Sequence, residues 1–285
     1  MLNHLLQWGR VTKHLPYIRG LGALRSVYAT ALSPRVSQQR VPDFDGDLLM
    51  DVDIRETIGF NIWHRPSAYE AQERRLLCEA IKRGSVVLDI GANMGLYTLL
   101  AAKRGATVFA IEADPQNVEV LRHHVHINGF DDRVTILFMA AMDRTVTVNL
   151  FRSQGNSGHS SLYEGGDAVE VPGKTIDSLG LPPIDVCKMD IEGAEGVALM
   201  GMRETIRRSP NLKMLIEYNP ELKHADGLME FICERFDSVY AVRKPPFGVK
   251  GPLSVDRKPP SFCNLWVFNS GSRNGSNGGL PLTQR

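Results

Sequence analysis

The stretch Val86-Val87-Leu88-Asp89-Ile90-Gly91-Ala92-Asn93-Met94-Gly95-Leu96-Tyr97-Thr98 constrains the fold of this chain more than any other. A β-branched, apolar run over Val86–Ile90 stops at a glycine, and a helical apolar run, Leu96–Lys103, starts just past a second glycine. A strand that turns through glycines into a helix opens a βαβ unit. The alternation continues downstream. Thr107–Ile111 reads as the next strand, and Val118, Leu121 and Val125 mark one face of a helix behind it. Val134–Met139, Asp185–Met189, Leu212–Tyr218, Ser238–Val242 and Leu265–Phe268 read as further strands, with helices at Ala194–Ile206 and Gly227–Glu234. Val146–Phe151 reads as an added hairpin strand before a Gly/Ser-rich loop. Continuous apolar strands separated by helices imply a mostly parallel sheet covered on both faces. One doubly wound α/β domain is therefore expected.

The two ends differ from this middle. Residues 1–42 hold Arg10, Lys13, Arg19, Arg25, Arg35 and Arg40 and no acidic residue, with Leu21, Leu24 and Tyr28 at helical intervals. This reads as a basic amphipathic arm: a cap docked on the domain, a weak contact to an anionic membrane surface or a partner, or a transit peptide. Residues 270–285 are rich in Gly, Ser and Asn and are expected to be disordered, which leaves 43–269 as the domain. With 33 basic and 32 acidic residues the net charge is +1, so no overall field steers the chain onto nucleic acid. Cys78, Cys187, Cys233 and Cys263 form no CxxC pair, which points to neither a zinc site nor a disulfide framework and makes a cytoplasmic protein the expectation. The uncharged run Ile90–Ala102 is too short to cross a bilayer.

In doubly wound folds the ligand sits beyond the carboxyl ends of the strands. Gly91 permits a tight turn there and Gly95 a close approach to the helix start, but the spacing is G-x-x-x-G, not the G-x-G-x-x-G of a dinucleotide pyrophosphate site. That spacing argues against a nicotinamide-dependent oxidoreductase. Asp89 would repel a pyrophosphate and tolerate a cationic or zwitterionic ligand. The next strand ends in Glu112-Ala113-Asp114-Pro115, where Glu112 is placed to accept hydrogen bonds from both ribose hydroxyls of an adenosine. A nucleoside without pyrophosphate beside an acidic turn points to S-adenosylmethionine.

A third run, Lys188-Met189-Asp190-Ile191-Glu192-Gly193-Ala194-Glu195, follows Thr175-Ile176-Asp177-Ser178-Leu179. Together with the glycine turn and the E-x-D-P segment, it closely resembles the FkbM family of S-adenosylmethionine-dependent methyltransferases, over roughly residues 55 to 243. The resemblance implies a class I methyltransferase-like, Rossmann-like sheet of seven mostly parallel strands with helices on both faces. It implies O-methylation of a hydroxyl on a carbohydrate or secondary metabolite, with N- or C-methylation, or a non-catalytic cofactor-binding scaffold, as alternatives. Carried onto this chain, Gly91, Asn93 and Gly95, with Thr98 in the following helix, would contact the methionine part, and Asp89 would lie near its ammonium. Glu112 would hold the ribose. Asp114 and the backbone near Ala141 and Met142 would flank the adenine. Where the family tends to carry Asn, this chain has His124, within Arg122-His123-His124-Val125-His126; these histidines read as a solvated polar face, not a metal site.

Methyl transfer needs a nucleophile held in line with the methyl group, and an alcohol gains further from a base. Asp190 is the expected base. Glu192 lies beside it, and Lys188 is placed to orient a carboxylate. His159, in the Gly155–Ser161 loop, is a second candidate base, and Glu195 reads either as a site carboxylate or as a first-turn acid favoured by the helix dipole. Asp190 with Glu192 offers oxygen ligands for a divalent ion, though no metal is assigned. The proline-rich stretch Lys244–Ser261 and the segment Asp51–Tyr69, with Trp63, His64 and Arg65, are expected to border a small-molecule or glycan acceptor.

Overall fold

The computed structural model describes residues 37–152, 167–222, 225–242, 249–250 and 258–270. Most of the basic arm, the His159 loop, most of the Lys244–Ser261 stretch and the Gly/Ser-rich tail lie outside the described residues.

The chain opens with two antiparallel strands, β1 (Gln38–Phe44) and β2 (Leu48–Asp53), and two helices, α1 (Thr57–His64) and α2 (Ala71–Ala80). β1 runs across the boundary expected at residue 42. The alternating core follows as β3 (Val86–Ile90), α3 (Leu96–Lys103), β4 (Thr107–Glu112), α4 (Pro115–Ile127) and β5 (Val134–Phe138). A small sheet comes next: β6 (Ala140–Ala141), β7 (Val146–Phe151) and β8 (Ala168–Lys174). The chain returns through β9 (Val186–Met189), α5 (Glu195–Met200), α6 (Arg203–Arg208), β10 (Lys213–Tyr218), α7 (Ala225–Arg235), β11 (Ser238–Val242), the two-residue β12 (Val249–Lys250) and β13 (Cys263–Phe268).

The main sheet has the order β12-β11-β13-β10-β9-β3-β4-β5. β5, β4, β3, β9 and β10 pair in parallel, whereas β13 is antiparallel to both β10 and β11. These are the seven mostly parallel strands the sequence implies, with β12 appended at one edge. Both faces are covered. Leu88, Ile90, Cys187, Met189 and Ile216 pack against α5, α6 and α7 on one side. Val87, Val186 and Leu215 pack against α1 to α4 and the β1–β2 hairpin on the other. Burial of this kind, at roughly 25 cal/mol per Å² of apolar surface, is the main driving force for such a fold. The chain moves outward from β3 to β5 and then crosses back to β9, so the order reverses between β3 and β9, where a ligand crevice belongs.

Two expectations are corrected. The helix anticipated over Ala194–Ile206 is two helices, because the Asp177 carboxylate accepts from the Glu204 and Thr205 amides and so caps a new start. Gly201 sits at the break, where an added Cβ would lie 1.9 Å from the Met142 carbonyl oxygen. The second correction is β8, which no strand was expected to fill. It pairs antiparallel with β7 and parallel with β6, and although its burial alternates strictly, Pro172 and Gly173 within it break the strand signal in the sequence.

Candidate active site

The site is built on the turn that ends β3. Gly91 has φ 76°, and its amide and that of Ala92 donate to Ile111 O at 2.9 and 3.0 Å. A Cβ on Gly91 would stand 1.9 Å from Asp190 O, so the glycine lets the ends of β3 and β9 come together. Asn93 is left-handed at φ 50°, a conformation its short side chain tolerates by accepting from Met94 N at 2.7 Å. The Asn93 amide donates to Glu112 Oε2 at 2.7 Å, and the Asp114 amide to Glu112 Oε1 at 2.8 Å. Glu112 thus ties the β3 turn to the end of β4. Asn117 adds a side-chain hydrogen bond to the same carboxylate, which faces the cleft. Burial pushes this carboxyl above its usual range, and the Asp114 and Asn93 amides partly offset that.

The cleft is open to solvent and has a cavity volume of about 70 Å³. Gly91 and Asn93 line it from β3, Glu112, Ala113 and Asn117 from β4 and α4, Ala140, Ala141 and Leu150 from the small sheet, and Asp190, Ile191 and Glu192 from the β9 side. Glu192 is left-handed at φ 53°, so both acidic-turn positions on the rim, Asn93 and Glu192, hold a strained backbone.

Asp190, with a side chain 32% exposed, faces Lys188 Nζ at 3.3 Å. The same ammonium donates to Gly91 O at 3.2 Å and lies 5.4 Å from the centre of the Tyr97 ring. Burial works against the Lys188 charge, yet the Asp190, Asp89 and Glu70 carboxylates outweigh it and hold the pKa above that of an ordinary lysine. Lys188 therefore links the glycine turn to the Asp190 carboxylate as a fixed cation.

Of the residues singled out from sequence, Gly91, Asn93, Glu112, Ala141, Asp190 and Glu192 meet in the one cleft. The others take different places. Asp89 is 1% exposed beneath the turn and accepts from Thr98 Oγ1 at 2.6 Å, so both lie below the cleft, not on its wall. Gly95 accommodates Leu121, whose Cδ1 would be 2.5 Å from an added Cβ. Asp114 caps α4 through Gln116 N and holds the Arg152 guanidinium at 2.8 and 2.9 Å. Met142 is held by its backbone, its amide donating to Lys174 O at 2.9 Å. His159 lies outside the described residues. Glu195 is 3% exposed and accepts from Ile191 N at 2.9 Å and Gly193 N at 3.3 Å; burial pushes it up to about 7, and these amides partly counter the shift. It shapes the loop after β9 from behind.

The histidine run is not one polar face. His124 is fully buried, His123 Nε2 meets Asp51 Oδ2 at 2.8 Å, and His126 faces Asp131 at 3.4 Å. Trp63 and His64 are buried and do not border the cleft. Among the described residues no group of three His, Cys, Asp or Glu is placed to hold a metal ion.

Two carboxyl groups beside the Lys188–Asp190 pair were not singled out from the sequence. Glu70, at φ 47° ahead of α2, accepts from Tyr97 Oη at 2.6 Å, and burial raises its pKa. Glu217 follows Ile216, the β10 partner of Met189, which puts it beside Asp190 at the next register step. Burial and the charges of Asp190, Glu192 and Glu195 push it up to about 9. Glu217 had one sequence signal, a carboxylate interrupting the apolar strand Lys213–Tyr218 at its carboxyl end; Glu70 had none.

Strand order, glycine turn and cleft together define a class I methyltransferase-like domain. Residues 89–239, more than half of the chain, match the methyltransferase FkbM domain, and the chain belongs to that family. The 2-O-methyltransferase NoeI of Sinorhizobium fredii is 25% identical over 214 residues, covering 66% of this chain and 86% of that enzyme. The arginine N(omega)-methyltransferase of Streptomyces achromogenes is 32% identical over 80 residues, covering 26% of this chain and only 22% of that enzyme's length. Among solved structures, methyltransferase FkbM from Methylobacillus flagellatus is 18% identical with a TM-score of 0.45, over 87% of this chain and 60% of that one. No helix among the described residues is long and apolar enough to cross a membrane.

Proposed function

We propose that this chain transfers a methyl group from S-adenosylmethionine to a hydroxyl oxygen of a carbohydrate or secondary metabolite. One observation carries the reading: Glu112 and Asp190, from strands on either side of β3, line the same cleft across a glycine turn that has no room for a side chain. The residues fit the cofactor. Glu112 keeps acceptor capacity for a ribose hydroxyl, Ala113, Ala140, Ala141 and Leu150 offer an apolar wall for adenine, and Gly91 and Asn93 border the methionine end. Asp190 and Glu192 on the opposite rim would repel a pyrophosphate.

When bound, S-adenosylmethionine supplies a methyl carbon on a sulfonium that a nucleophile displaces. Asp190 accepts the proton of the incoming hydroxyl, and Lys188 fixes the carboxylate that does so. Glu217, pushed up to about 9, holds its proton at neutral pH and offers a donor beside Asp190. NoeI, a 2-O-methyltransferase by name, supports the oxygen acceptor. A small-molecule or glycan acceptor is also consistent with a net charge of only +1. A second reading, transfer to nitrogen, draws on Asp190 and Glu192, whose acidic side chains line the cleft and favour an amine acceptor.

The test is label transfer from methyl-labelled S-adenosylmethionine to panels of sugars, phenolic and aliphatic alcohols, and amines, with the product bond assigned by mass spectrometry. Label on oxygen is the expected outcome. Label confined to the amines replaces the first reading with the second.

A further inference from the structure

One face of α4 carries Asn117, Leu121, His124 and Asn128 at spacings of four, three and four residues, which puts them in a line along the helix. Each touches something that matters to the cleft or to the hairpin behind it. Asn117 lines the cleft and Leu121 packs under Gly95. His124 Nδ1 lies 2.7 Å from Met94 O, inside the glycine turn, and its Nε2 lies 2.9 Å from both the amide nitrogen and the carbonyl oxygen of Asp51 on β2. Asn128 completes the line, accepting from Leu49 N at 2.9 Å and donating to Leu49 O at 2.8 Å.

A backbone carbonyl can only accept, so Nδ1 carries the proton that goes to Met94 O, and with the ring neutral Nε2 takes the Asp51 amide as its donor. The ring is 0% exposed, and burial lowers its pKa, which keeps it neutral. Met94 is held from the other side as well, its amide donating to the Asn93 side chain while Asn93 sits left-handed at φ 50°. A strained turn keeps its shape only where its surroundings over-determine it. Here the surroundings reach outside the family-matched region of residues 89–239, to the β1–β2 hairpin.

We propose that His124 is a positioning residue for the cofactor: through its Nδ1 hydrogen bond to Met94 O it holds the Gly91–Gly95 turn in the shape that receives the ligand, using the β1–β2 hairpin as its anchor. The inference rests on the cofactor reading above.

Two isosteres separate the links. His124→Asn retains a donor near the Nδ1 position and loses the acceptor for Asp51. His124→Gln places its amide near the Nε2 position, keeping the Asp51 link and losing the one to Met94. S-adenosylhomocysteine binding is measured calorimetrically on wild type and both variants, with thermal stability recorded alongside and KM separated from kcat in the transfer assay. Affinity is expected to fall about tenfold in His124→Gln, the equivalent of one buried hydrogen bond, and to stay within about threefold of wild type in His124→Asn. The loss should fall in KM for the cofactor, with kcat little changed. Affinities that simply track the stability losses, with the two variants alike, would overturn the proposal and leave His124 a packing residue. Wild type that binds no S-adenosylhomocysteine overturns the cofactor reading itself, and this inference with it.

Discussion

Gly91→Ala is expected to destabilise the fold by about 3 kcal/mol or more and to lower methyl transfer per folded molecule by at least about 10²-fold. The added Cβ would lie 1.9 Å from Asp190 O and 2.9 Å from the Ile191 side chain. The nearer atom is backbone, so relief requires the ends of β3 and β9 to separate by about an ångström. That separation moves the cofactor turn away from Asp190, which is why activity should suffer beyond stability. Gly84→Ala is the control, since Gly84 has φ 83° with nothing within 4 Å of its added Cβ. It isolates the backbone cost of a left-handed alanine, about 1–2 kcal/mol, and should leave activity unchanged. Thermal unfolding and transfer rates on both variants decide the matter. Equal effects from the two would mean that the close approach at Gly91 does not matter.

Asp190→Asn is expected to lower kcat by about 10²–10⁴-fold while S-adenosylhomocysteine affinity changes by less than about threefold. Asparagine keeps the shape and can still accept from Lys188 Nζ, which lies 3.3 Å from the carboxylate in wild type. It loses the basicity that removes the acceptor's proton. The neighbouring carboxyls do not replace it: Glu217 holds its proton at neutral pH, and Glu195 is engaged with the Ile191 and Gly193 amides. A variant with kcat within threefold of wild type would show that Asp190 does not act as the base. The measurement uses the acceptor found by label transfer, at saturating cofactor.

Much of this architecture was legible because it depends on local patterns. The apolar β-branched runs ending at Ile90, Ile111 and Met189 announce strands by composition, and Gly91 marks the turn where the first ends. The cleft residues Gly91, Asn93, Glu112, Asp190 and Glu192 all lie at strand ends or in the loops just after them, so a doubly wound sheet alone gathers them. What sequence missed depends on pairing over long distances. β8 forms a strand by pairing with β6 and β7, and the β1–β2 hairpin is held by His124 and Asn128 across more than 70 residues. The pairing of Asp114 with Arg152, 38 residues downstream, was likewise not legible. His124 looked solvated beside His123 and His126, yet the helix turns it inward and those two outward.

The central claim is that this cleft holds S-adenosylmethionine with Glu112 on the ribose. The most direct test is a calorimetric titration of wild type and Glu112→Ala with S-adenosylhomocysteine, run beside NAD. Saturable binding of S-adenosylhomocysteine by wild type, no heat from NAD, and at least tenfold weaker binding by the folded variant are the expected results. Binding of NAD, or a Glu112→Ala protein that binds S-adenosylhomocysteine as tightly as wild type, would contradict it.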